Sequence, residues 1–156
     1  MARYYDVEEA NAHVPELAEI FGRVMQFRVQ LKRLYQRLDA AGHAPSTDNV
    51  DEPLPSGVSA TVIRDRSVFR ALVESVSDAL REVEALGAEV KDVETGLCDF
   101  LASRDGRDVL LCWKYGEAAI THWHDLETGF AGRRAITDDD RRSIATRGRA
   151  AARSGV

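Results

Sequence analysis

Two imidazoles flank a tryptophan at His122-Trp123-His124, inside the run of this chain richest in side chains capable of chemistry. That run, Cys112–Arg133, holds both tryptophans, two of the four histidines, one of the two cysteines and three of the eleven glycines. Amphipathic packing alone does not call for such a mixture. In a strand, residues two apart project from the same face, so His122 and His124 are placed to share one divalent ion. Glu127, Asp125, Asp99, Glu117 and the cysteines are the candidate further ligands. Zinc, iron or manganese accepts imidazole and carboxylate donors of this kind. The candidate metal set is therefore His124, His122, Glu127, Glu117 and Asp99. The competing reading makes both histidines neutral, hydrogen-bonded residues at the edge of a core.

Strand register decides between the two. If Tyr115-Gly116 is a two-residue turn, His122 and His124 share a face with Cys98, Phe100, Val109, Leu111, Trp113 and Ile120, which is apolar. A slip of one residue exchanges every side chain between faces, and the histidines then join Asp99, Asp108 and Cys112, a ligand-like set. Both registers stay open, because Tyr-Gly is not a strong turn pair. Asp125, Glu127 and Arg133, with Glu117 and Arg107, can alternatively form an ion-pair network that orders the glycine loop. The chain has no G-x-S-x-G, C-x-x-C, H-E-x-x-H or dinucleotide fingerprint. Gly129–Gly132 lacks the Lys-Ser/Thr of a phosphate loop. No reaction and no catalytic residue follow from these motifs.

The elements that must carry these residues are mostly helical. Asp6 and Glu9 form a capping-box-like start, predicting a short helix over Val7–His13 with Tyr5 packed back on it. Pro15 suits the first turn of a second helix, which runs to Ala41 and stops at Gly42. Its apolar residues make two seams: Val14, Leu17, Phe21, Val24, Leu31, Tyr35 and Leu38, and Ile20, Val24, Phe27, Leu31, Leu34 and Leu38. A stripe that wide needs neighbours on two sides. Residues 42–57 hold three of the four prolines and no periodicity, and read as a flexible loop. A third helix follows over Val58–Leu86, ending at Gly87. After it, Cys98–Ser103 and Asp108–Lys114 flank Asp105-Gly106, a strong hairpin signal, and Ala118–His124 reads as one more strand. The expected class is α+β: a long antiparallel helical hairpin with a small three-stranded antiparallel β-meander, in one domain over residues 1–134. Residues 135–156 read as a basic tail.

The totals limit the partners. A chain of 156 residues with 44% hydrophobic and 30% charged residues is sized for one globular domain. It shows no secretory layout and no apolar run of membrane-spanning length, so it reads as cytoplasmic. Two cysteines make no disulfide framework. The net charge of −5 divides into +4 over residues 133–156 and −9 over the rest. An acidic body argues against nucleic acid as a partner, since phosphate contacts need a basic face.

Several blocks together resemble DUF2203, a family of uncharacterised bacterial proteins. They are Tyr5–Asn11 with Val14–Leu17, then Leu86–Asp92 and Gly96–Phe100, then Leu111–Trp113 with Gly116-Glu117, and finally Trp123–Glu127 and Gly129–Arg133. The likeness spans nearly all of residues 4–134 and carries no known activity with it. It implies that a shared site centres on His124, Glu117 and Asp99, with Asp125 or Glu127, and that His122 lies just outside. Two function classes emerge. One is a domain binding a divalent metal or small ligand at the edge formed by meander and glycine loop. The other is a homodimeric interaction module built on the helical hairpin.

Overall fold

A computed structural model describes residues 3–145. The chain is α+β and divides into two compact units, Met1–Phe21 with Glu82–Val156, and Gly22–Arg81. No described helix is long and apolar enough to cross a membrane.

The first unit is built on an antiparallel sheet. Its strands are β1 (Ala88–Asp92), β2 (Leu97–Arg104), β3 (Arg107–Lys114), β4 (His122–Asp125) and β5 (Arg134–Ala135), paired in that order. A short β6 (Ile144–Ala145) adds to β2 beyond the end of β1. The expected three-stranded meander is thus the centre of a larger sheet. β1 was not legible because it alternates between buried and open positions, leaving only Ala88 and Val90 as apolar signal. β5 and β6 have two residues each, too few for any period. The hairpin between β2 and β3 forms where expected, with positive φ at both Asp105 (52°) and Gly106 (82°) and Arg104 opposite Arg107.

Helix α1 (Val7–Asn11) starts as the capping chemistry requires, the Glu9 amide donating to Asp6 Oδ1 at 2.7 Å. Tyr5 just before it ties the segment to the sheet. Its amide donates to the Leu101 carbonyl (2.8 Å), its hydroxyl donates to the Leu86 carbonyl (2.9 Å), and its ring meets Phe100 edge-on at 5.0 Å. Gly87 has φ +95°, and a Cβ there would fall 1.8 Å from the Tyr5 hydroxyl, so the contact and the turn both demand glycine. Phe21, in the first part of α2 (Val14–Ala40), packs on Trp113 at 5.9 Å. Leu17, Phe100, Leu111 and Ile120 are fully buried in the same core.

The second unit holds the rest of α2 and α3 (Ala60–Ala85) up to Arg81. α2 ends at Gly42 (φ +80°), where the His43 amide donates back to the Leu38 carbonyl, satisfying an orphan acceptor of the last turn. Val24, Leu34, Leu38, Val62, Leu72 and Ala79 are its buried apolar residues. Arg37 reaches the buried Asp65 at 3.0 Å. In the connecting loop, Ser46 and Asn49 cap one another, and Arg66 donates to the Asn49 and Val50 carbonyls.

Part of the segment expected as a basic tail is folded in the first unit. Thr137 and Asp140 make a reciprocal capping box at the start of α4 (Asp138–Ser143), and β6 follows directly. Residues 146–156 of that tail lie outside the described residues.

Candidate metal centre

The connection between β3 and β4 is not a two-residue turn. It runs through residues 115–121, and its length sets the register that the sequence left open. Cys112 faces His122 and Leu110 faces His124 across the β3–β4 pair, while Asp99 faces Cys112 across β2–β3. The histidines therefore belong to the face of Asp99, Leu101, Leu110 and Cys112, and the apolar-face register is not the one adopted. Cys98 pairs with Trp113 and points the other way. The connection is fixed from outside the sheet: the Ile120 amide donates to Asn11 Oδ1 (2.7 Å), and Trp113 Nε1 donates to the Glu117 carbonyl (3.0 Å).

Asp99, Cys112 and His124 come together under cover, with relative exposures of 2%, 0% and 3%. One donor atom from each lies within 4.8 Å of the other two. This is the one such cluster among the described residues. His124 Nδ1 stands 2.7 Å from the Asp125 carbonyl, which can only accept, so Nδ1 carries a proton. Nε2 stands 3.2 Å from Asp99 Oδ2. A carboxylate oxygen and an imidazole lone pair do not face each other at that distance without a positive charge between them. A proton or a metal cation fills that role. Burial pushes the Asp99 carboxyl above its ordinary range, against the opposing pull of His124 and Cys112. The other Asp99 oxygen, Oδ1, is buried with no hydrogen-bond partner among the described residues. An unsatisfied buried acceptor costs about 1–3 kcal/mol, and a bound cation removes that cost.

The donor set fits an ion better than it fits nucleophilic catalysis. A thiol–imidazole–carboxylate relay needs one ring nitrogen for the thiol and the other for the acid. Both nitrogens of His124 are committed, to the Asp125 carbonyl and to Asp99. Burial, with Asp99 alongside, pushes the Cys112 thiol up to about 12, which leaves it protonated and inert. A metal reverses this by taking the thiolate directly. The Asp125 carbonyl then plays the usual outer partner of a ligating histidine, fixing its tautomer and aim.

The other expected ligands are elsewhere. His122 shares the face, but its Nδ1 accepts from Arg133 Nη2 (3.1 Å) and lies 2.8 Å from the Thr121 hydroxyl. Glu117 takes Arg133 in a two-pronged pair at 2.6 and 3.3 Å and accepts the Lys114 amide at 2.7 Å. Burial raises the Glu117 carboxyl, but Arg133 and the Lys114 amide outweigh it and hold the group below its ordinary value. Glu127 is exposed in the turn after β4. None of these three joins the cluster. They and their neighbours instead realise most of the expected ion-pair network, Asp125 meeting Arg134 (3.4 Å) and Arg107 (3.9 Å). Arg133 also donates to Cys112 Sγ at 3.8 Å, so the network abuts the cluster. The sequence places Cys112 with Asp99 and the histidines under only one of two open registers, and that register is what separates it from Cys98.

The fold and cluster define an α+β protein with a buried Asp–Cys–His group on one sheet face. Its family is the uncharacterized conserved protein family DUF2203, whose sequence model matches residues 3–136, and the chain belongs to it. No curated protein and no solved structure matches the chain.

Proposed function

We propose that this protein binds a divalent transition metal through Asp99, Cys112 and His124. The single observation behind the reading is the buried, convergent donor set with one carboxylate oxygen left unpartnered. A thiolate, an imidazole and a carboxylate together favour zinc over manganese or magnesium, which prefer oxygen. Three protein ligands leave a fourth tetrahedral position for water or a small molecule. Protein loaded with cobalt in place of zinc gives the test, since a cobalt–thiolate bond adds a near-ultraviolet charge-transfer band. The expected result is one equivalent bound with that band, lost in Cys112→Ser and weakened more than about a hundredfold in His124→Ala. Retention of metal by both variants would remove these residues from the site.

A second reading concerns the helices, and it is compatible with the first. We infer that α2 and α3 form an antiparallel hairpin that pairs with a second copy. Val29, Tyr35, Ile63, Val68 and Val73, all within Gly22–Arg81, are 40–54% exposed. Each is already about half buried, so burying the remainder gains on the order of 1 kcal/mol apiece. Light scattering at micromolar concentration should return twice the chain mass, and a monomer there rejects the pairing.

A further inference from the structure

Asp99 also lines a cavity of ≈350 Å³ in the first unit. Leu101, Leu110 and Leu126 form its apolar side. Leu101 and Leu110 face one another across β2–β3, and Leu110 is the cross-strand partner of His124. The residues that adjoin the donor cluster on the sheet are thus the same ones that wall the cavity. Asp99 is the cluster member that reaches the cavity wall, and the coordination position that three ligands leave vacant is accessible to a small ligand on that side. The volume is at the lower end of the range for small-molecule sites.

The charges around this cavity narrow the ligand class. Lys91 and Glu89 both line it and neutralise each other at 2.9 Å. Arg3 lies with its guanidinium carbon over the Tyr5 ring, 4.5 Å from the centroid, and brings its N–H edges to the cavity wall. Those edges match a carboxylate. Glu84, also on the wall, repels a second negative charge. Three leucines reward a short branched hydrocarbon.

We propose that the cavity is the ligand chamber of the metal centre and takes a small aliphatic monocarboxylate, whose oxygen reaches the ion while its hydrocarbon lies on Leu101, Leu110 and Leu126. This rests on the metal reading above. The assay is titration of the cobalt-loaded full chain with acetate, isovalerate and succinate, followed through the visible cobalt bands. Isovalerate carries three more carbons than acetate and should bind at least about tenfold more tightly. Succinate should bind more weakly than isovalerate. Leu126→Gln, at an exposed position where folding is not at stake, and Leu101→Gln should each abolish the preference for the longer acid while cobalt stays bound. Equal binding of acetate and isovalerate, or cobalt bands unmoved by any acid, overturns the chamber and leaves the metal centre standing. Absence of cobalt bands before any acid is added overturns both.

Discussion

Two aspartates, Asp99 and Asp140, are buried in the same unit and are chemical opposites. Asp140 is 6% exposed and has a donor for each oxygen. Arg104 Nε meets Oδ1 at 3.0 Å, while Trp123 Nε1 (3.2 Å) and the Thr137 amide (2.9 Å) meet Oδ2. Burial acts to raise this carboxyl, but the Thr137, Arg104 and Trp123 hydrogen bonds prevail and hold it below its ordinary value. Asp99 is 2% exposed, has one oxygen against His124 and the other against nothing, and sits above its ordinary value because burial goes unopposed by enough donors. A carboxylate whose donors are all supplied by its own chain holds structure together. One buried with a donor withheld is the observation on which the proposed metal site rests.

Substitution tests the contrast most severely. Asp140→Ala removes the acceptor of Arg104 Nε, the Trp123 indole N–H and the Thr137 amide, and should cost about 3 kcal/mol in urea unfolding. Asp99→Asn in metal-free protein should change stability by less than about 1 kcal/mol, because it removes a group that burial already penalises, while cobalt binding is lost. Equal destabilisation by the two changes would make Asp99 a structural residue like its counterpart.

The pH dependence of metal-free protein sharpens the same contrast with a smaller effect, and the signs differ. Asp99 is raised in the fold, so the native state holds its proton longer than the unfolded chain does. Stability then falls as pH rises from the ordinary carboxyl value of 3.8 through the raised one. Asp140 is lowered, so its contribution is complete above the ordinary value of 3.8 and is lost as pH falls through the depressed one. Melting temperatures from about pH 3 to pH 7 should therefore rise and then decline. Asp99→Asn should flatten the decline alone, and a variant that flattens neither limb would place the titration elsewhere.

Helix boundaries were readable in the sequence because their signals are local. Asp6 caps α1, Gly42 stops α2 and Gly87 stops α3, each within a turn of its expected place. Asp105-Gly106 fixed its hairpin for the same reason. Asp99 and His124 could be named as site residues from their type. Their grouping with Cys112, and the placing of His122, Glu117 and Glu127 outside that group, turned on a register the sequence left open. Those outcomes depend on a seven-residue connection, residues 115–121, whose path is set jointly by its Lys114–Glu117 turn, by Asn11 and by the Trp113 indole. The narrow edges of the sheet escaped notice because β1 is half open and β5 and β6 are too short to show a pattern.

The hydrogen bond from Ile120 to Asn11 has a consequence for the order of events in the cell. Its partners are separated by 109 residues, and with the Trp113–Glu117 contact it holds the β3–β4 connection that aligns His124 with Asp99 and Cys112. A ribosome making about 5–20 residues each second needs several seconds to span that interval. The donor cluster is therefore a late product of synthesis. Thiol and imidazole stay dispersed along the nascent chain while β4 is still being made. Under the proposed metal reading, the three donors can meet an ion only once β4 has been made.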